Sequence, residues 1–280
     1  MKTRRFIQCD VFTPIPTLGN ALAVVVDGED LADETMQRFA SWTNLAETTF
    51  ILPSQDSTAD YELRIFTPTR EMLFAGHPTL GSCVAWLYCG GKPQESGIVR
   101  QECGVGIVEI DITDPHLPAF VAPPTDIRPM LPDNFEAIVE ALKIPRDRIL
   151  HTAELDNGPV WQVMQLDSAK TVLQLDSSRV RWPTFRAIGM IGAHPRGSEC
   201  DYEVRMLAPT SGMSEDPITG SLNSALAHWL QVDGRLKNSV TVAQGTCIGR
   251  HGRVSINPVD SHNVKIGGQT HILIEGTVLL

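Results

Sequence analysis

The sequence predicts an α+β protein of two similar domains, each a curled, mostly antiparallel, barrel-like β-sheet around one central buried helix, the two related by a pseudo-twofold axis. Three observations carry this expectation. Two stretches repeat the same punctuation half a chain apart: Gly76-His77-Pro78-Thr79-Leu80-Gly81-Ser82 and Glu215-Asp216-Pro217-Ile218-Thr219-Gly220-Ser221, with Gly81 and Gly220 separated by 139 of 280 residues. A half-chain interval of this kind marks an internal repeat. Each stretch follows a matching strand-like lead, Arg64-Ile65-Phe66-Thr67-Pro68 in one case and Arg205-Met206-Leu207-Ala208-Pro209 in the other. After each proline the pattern leaves almost no polar face, and a helix apolar all round is buried on every side.

Taken in order, residues 6–12 and 22–26 read as strands, joined by a turn through Pro14, Pro16 and Gly19-Asn20. Residues 30–42 read as an amphipathic helix, with Leu31, Met36, Phe39 and Ala40 on one face. Strands follow at 48–52 and 61–66. The first apolar helix opens at Pro78 and stops at Gly90-Gly91, as expected of helix ends. Short β-like runs come next, around 98–99, 106–112 and 120–121. In the second half, Asn157-Gly158-Pro159 turns into a strand at 160–166, and 202–207 matches 61–66. The second apolar helix opens at Pro217, carries Ile218, Leu222, Ala225, Leu226, Trp229 and Leu230, and ends before Asp233-Gly234. Short strands follow at 239–242, 253–256, 263–266 and 271–274. The Pro-rich stretch 115–132 is the natural linker, which divides the chain into domains 1–122 and 123–280.

Composition sets bounds on function. Apolar content of 42% with 20% charged residues is that of a globular protein. A net charge of −10 speaks against a nucleic-acid partner, since phosphate contact needs a basic face. No run approaches a membrane span in length; residues 21–26 are only six. The basic start Met1-Lys2-Thr3-Arg4-Arg5 is followed by Gln8, Asp10 and Pro14, which deny it the apolar stretch of a signal peptide. The six cysteines are scattered with no Cys-x-x-Cys pair, which reads as reduced, buried thiols in a cytoplasmic protein. The eight histidines show no metal-ligand spacing. Gly104-Val105-Gly106 lacks the third glycine and following helix of a dinucleotide fingerprint, and Gly76 to Ser82 contains no lysine, so it is no Walker-type loop.

The repeats are where chemistry is expected. His77 and Asp216 stand before the proline, at what reads as the helix N-cap, so the pair is asymmetric. Asp-Pro at a helix start is explained by capping alone, and His77 by a satisfied core histidine. If the halves face each other, however, both helix N-termini point at one cleft, with free N–H groups around Gly76, Gly81, Gly220 and Ser221 suited to a carboxylate or phosphate. A titratable His and Asp across that cleft could move protons on the bound ligand. Glu47, within Asn44-Leu45-Ala46-Glu47-Thr48-Thr49-Phe50, is the other candidate. Apolar neighbours would raise its pKa, as suits a general acid/base, although an ordinary salt bridge would also explain it. Ser221 has no obvious local base and reads as a donor rather than a nucleophile.

Six ordered motifs resemble one family across nearly the whole chain. These are Phe6-x-x-x-Asp10-Val11-Phe12-Thr13, Gly19-Asn20 leading into Ala23-Val24-Val25, the stretch 44–50, Arg64-x-Phe66-Thr67-Pro68, and the two repeats. Together they look like the PhzF-like isomerases of phenazine biosynthesis, with a diaminopimelate-epimerase-like fold. The resemblance implies an interdomain active site, no cofactor, no metal and a homodimer acting on a small anionic substrate. It implies that Glu47 is the proton shuttle, that His77, Asp216 and Ser221 polarise or orient the substrate, and that Asn20, Gly76 and Gly220 lie near it. Two departures stand out. Ala21 replaces the Pro that usually follows Gly-Asn, and His77 and Asp216 stand where related racemases carry a cysteine in each half, with Cys83 six residues deeper. The leading expectation is a cofactor-independent proton shift; a single-carbon epimerase and a non-catalytic metabolite binder are the alternatives.

Overall fold

The computed structural model describes residues 1–209 and 213–280. In chain order its main elements are β1 (Thr3–Val11), β2 (Asn20–Val25), α1 (Asp33–Thr43), β3 (Glu47–Leu52), β4 (Tyr61–Phe66), β5 (Glu71–Met72), α2 (Gly76–Tyr88), β6 (Ile98–Cys103), β7 (Gly106–Asp111), β8 (Ala119–Val121) and β9 (Asp126–Arg128). There follow α3 (Pro132–Leu142), β10 (Ile149–Asp156), β11 (Val160–Leu166), α4 (Ala169–Leu173), β12 (Ile188–Ala193), β13 (Tyr202–Leu207), β14 (Glu215–Asp216), α5 (Gly220–Val232), β15 (Val240–Gln244), β16 (Gly252–Pro258), β17 (Val264–Gly267) and β18 (Thr270–Leu279). The fold is mixed α and β, with few helices and many short strands. Two compact units form, one from residues 1–121 with 267–280, the other from 122–266. No helix among the described residues is long and apolar enough to cross a membrane.

In the first unit, β1 pairs antiparallel with β2, β2 runs parallel to β3, and β3 pairs antiparallel with β4. The sequence reading placed residues 123–280 together in a second domain. The last strand, β18, instead pairs antiparallel with β1 along its whole length, from Thr3 opposite Leu279 to Val11 opposite Thr270. The apolar run Ile272-Leu273-Ile274 marks β18 as a strand, but such a run does not name its partner. Helix α1 lays Met36, Phe39 and Ala40 on a core of Val25, Phe50 and Phe66, with Leu31 packed against it. Phe50 meets Phe39 and Phe66 edge-on at centroid distances of 6.3 and 5.6 Å, the arrangement that aromatic quadrupoles favour.

Helix α2 packs against β1, β2 and β3, and all of Gly76 to Cys83 is buried. Ser82 Oγ shares a hydrogen bond of 2.9 Å with Thr49 Oγ1, which satisfies two hydroxyls inside this core. Gly81 is the sixth residue of α2, past the first turn, so its role is packing rather than ligand binding. A Cβ at Gly81 would stand 2.5 Å from Leu22 Cδ2 and 3.0 Å from Val11 Cγ2. Gly81→Ala is therefore expected to destabilise the protein by about 1–3 kcal/mol through overpacking, more than the ~1 kcal/mol gained in helix propensity. Urea unfolding measures the net sign; a stabilised variant would show that the β1–β2 layer yields.

In the second unit, β10 pairs antiparallel with β9 and β11, β11 runs parallel to β12, and β12 pairs antiparallel with β13. The stretch read as a linker holds β8, β9 and the proline that opens α3. Helix α3 sets Ile138, Val139 and Leu142 on a core with Met164, Leu166 and Met190. Helix α5 packs against β10 and β16, and Gly189 of β12 makes room for Leu222, whose Cδ1 would lie 2.8 Å from a Cβ there.

The two apolar helices do not begin as the repeated motif suggests. Ala75 is the N-cap of α2 and Thr219 the N-cap of α5, so neither His77 nor Asp216 caps a helix. Pro78 sits in the first turn of α2, as proline can. Pro217 lies outside α5, because Glu215 and Asp216 are drawn into β14, opposite Leu207 and Met206 of β13. Gly76 and Gly220 each open a 13-residue helix, an interval of 220 − 76 = 144 rather than 139. His77 and Ser221 are each the second residue of their helix.

Candidate active site

The first cluster lies in the first unit and is built by three turns. Gly19 closes the β1–β2 turn: its N–H donates to Asp10 Oδ2 at 3.0 Å, and a Cβ there would stand 2.4 Å from the Val11 carbonyl oxygen. This seats Asn20, 3% exposed, at the start of β2. Asn44 ends α1 in the left-handed region with φ 55°, its N–H bonded to the Ala40 carbonyl. That conformation suits Asn better than most residues, and it turns the chain so that Glu47 opens β3. His77 comes from the first turn of α2.

These turns bring Asn20, Glu47 and His77 together. His77 Nε2 is 3.3 Å from Glu47 Oε2, and its Nδ1 is 3.4 Å from Asn20 Nδ2. The Asn20 Nδ2 amino group can only donate, so Nδ1 accepts and the ring proton stands on Nε2, the nitrogen nearer Glu47. Burial pushes the His77 pKa down to about 3, so the ring is neutral at ordinary pH. The imidazole beside Glu47 therefore carries no fixed positive charge. The α2 ladder begins with Thr79 N–H bonded to the Ala75 carbonyl, so the N–H groups of Gly76 and His77 precede it.

The second cluster lies in the second unit. Asp216 Oδ2 accepts a hydrogen bond from the Thr219 hydroxyl. Burial pushes the Asp216 pKa up to about 6, against the opposing effect of that hydrogen bond. Beside it, Arg205 Nε and Nη2 hold Glu215 Oε2 at 3.0 and 2.7 Å, while Nη1 donates to the Val172 and Leu175 carbonyls. Gly220 and Ser221 open α5, whose ladder starts with Asn223 N–H on the Thr219 carbonyl. The Ser221 carbonyl accepts from Asn157 Nδ2 at 2.8 Å. Thr219, Asn157 and Asp10 stand inside stretches quoted from the sequence without a place in the site, and Gln244 lies outside all of them.

The cysteines do not offer a thiol pair for catalysis at these places. Cys83 is fully buried, and burial raises its thiol pKa. Cys9, also fully buried, is pushed up to about 12 by the same cause.

A family model described as phenazine biosynthesis-like protein, PhzC-PhzF, matches residues 9–276. The chain belongs to this family. Among curated relatives, the fission yeast (Schizosaccharomyces pombe) protein Antisense-enhancing sequence 1 is 33% identical, with 99% of each chain covered. The trans-2,3-dihydro-3-hydroxyanthranilate isomerase of Pseudomonas fluorescens is 30% identical over 88% of this chain and 87% of its own. Among solved structures, a PhzF-family phenazine biosynthesis protein of Bacillus anthracis superposes with a TM-score of 0.83, covering 100% of both chains at 22% identity, which bears on the fold. Membership of the PhzC-PhzF family and an isomerase among the relatives support an isomerase here.

Proposed function

We propose that this chain is an isomerase that shifts a proton on a small carboxylate-bearing metabolite, with Glu47 as the general acid/base. The observation that carries this reading is the neutral, buried His77 placed 3.3 Å from Glu47 Oε2. Glu47 takes a proton from a carbon made acidic by a neighbouring carboxylate, enamine or carbonyl. The C–H bonding pair moves into the conjugated system, the double bond shifts, and the same proton is returned at another carbon. Charge balances throughout without an oxidant or reductant. His77, neutral and beside Glu47, polarises or orients the substrate, and N–H groups at the start of α2 or α5 suit the negative charge that builds on it. Asp216 is the second protonatable group of the reaction in this reading, with Ser221 as a donor and Asn20, Gly76 and Gly220 near the ligand.

The test is a thermal-shift screen of small cyclic and acyclic carboxylates, followed by incubation of each hit in deuterated water. The expected product has a displaced double bond, and deuterium at the newly protonated carbon measures how far the Glu47 proton exchanges with solvent before it is returned. Inversion with label at that same carbon would make the protein an epimerase. A tight ligand recovered unchanged after long incubation would make it a binder.

A further inference from the structure

Asp216 is oriented by a hydrogen-bonded chain whose direction follows from its donors. Gln244, at the end of β15, is fully buried. The Thr219 backbone N–H, which can only donate, stands 3.1 Å from Gln244 Oε1, and Asn223 Nδ2 donates to the same oxygen at 2.9 Å. The amide is thereby fixed with its oxygen toward the start of α5. Its Nε2 then donates to Thr219 Oγ1 at 2.9 Å and to the Asp216 carbonyl at 3.4 Å. The Thr219 hydroxyl already receives a proton, so its own proton goes to Asp216 Oδ2.

The geometry points to Thr219 and Gln244 as positioning residues for Asp216: they fix Oδ2 as the accepting oxygen and leave Oδ1 to take up and release the proton. This rests on the reading of Asp216 as a protonatable group of the isomerase. The groups facing Asp216 come from three elements. β13 supplies Met206 opposite it and Arg205, which holds the neighbouring Glu215 carboxylate. β15 supplies Gln244, and the N-cap of α5 supplies Thr219. Among the described residues, the charge that acts on Asp216 is that of Glu215, which raises its pKa as burial does, and Thr219 is the donor that opposes both.

Carbon-13 titration of the Asp216 carboxyl, assigned by its loss in Asp216→Asn, tests the proposal without any substrate. Thr219→Val keeps the shape and removes the donor; the Asp216 pKa is expected to rise by about one unit or more, a tenfold gain in proton affinity. Thr219→Ser keeps a hydroxyl and should return the titration to within a few tenths of a unit. Gln244→Glu offers Thr219 a second acceptor, which draws the hydroxyl proton away from Oδ2, so the same rise is expected. Thr219→Ala makes the first test with a smaller side chain should valine not be accommodated. A donor-less variant at position 219 that titrates with wild type overturns the role of Thr219, and an unchanged or lowered pKa in Gln244→Glu overturns that of Gln244. Full turnover in Asp216→Asn would refute the catalytic reading instead and leave these titrations standing.

Discussion

Glu47→Gln is expected to lower turnover by at least about 10²–10⁴-fold, the range a positioned general acid/base contributes. Glutamine has the same shape, and its amide oxygen can face His77 Nε2–H where Oε2 now stands 3.3 Å away. Glu47 is held in β3 by parallel pairing opposite Leu22, which the substitution leaves in place. Folding and ligand affinity should therefore survive while the proton transfer fails. Steady-state kinetics on the substrate found by the screen, with circular dichroism and a thermal melt as folding controls, separates these effects. Near wild-type turnover in a folded Glu47→Gln would remove Glu47 from the role proposed for it. His77→Gln offers a contrast: it retains a donor for Glu47, so its loss in rate should be the smaller of the two.

How much of this was legible in the sequence varies with the physical cause. Helix α2 was legible because a run without a polar face has one environment available to it. Helix α3, which begins where the Pro-rich stretch 115–132 ends, was not read, although Ile138, Val139 and Leu142 share a face. Glu47, His77 and Asn20 were each singled out, but their meeting depends on parallel β2–β3 pairing, which no local pattern encodes. The N-cap reading of Asp216 went astray for an instructive reason. Asp-Pro is a good helix start, yet the long-range ion pair of Arg205 with Glu215 and the ladder to β13 hold residues 215–216 extended, and Thr219 becomes the cap. Local preference worth about 1 kcal/mol yields to a buried ion pair and strand pairing. The same non-local logic hides Gln244, whose partner Thr219 is 25 residues away.

The two perturbed groups predict opposite responses to pH, and the larger belongs to His77. Its imidazole is 5% exposed and has a pKa of about 3, against 6.5 for an unperturbed ring. Between those values the unfolded chain holds a proton that the folded chain refuses. Stability contributed by keeping the ring neutral is thus complete above pH 6.5 and is lost as pH falls toward 3. At about 1.4 kcal/mol per unit, the loss is about 3–5 kcal/mol across the window. Asp216 works the other way. Its folded pKa of about 6 exceeds the reference 3.8, so the folded state favours its proton and loses stability as pH rises from 3.8 through 6, by about 2–3 kcal/mol. Both act between pH 3.8 and 6, where His77 has the greater span; below 3.8 it acts without that opposition. Urea unfolding at pH 7.5, 5 and 4 should therefore show His77→Gln gaining on wild type as pH falls. Asp216→Asn should gain on wild type as pH rises, because it removes a carboxylate whose ionised form is disfavoured by burial. If the His77→Gln and wild-type curves ran parallel from pH 7.5 to 4, the ring would not be the neutral, desolvated group that the proposed reaction places beside Glu47.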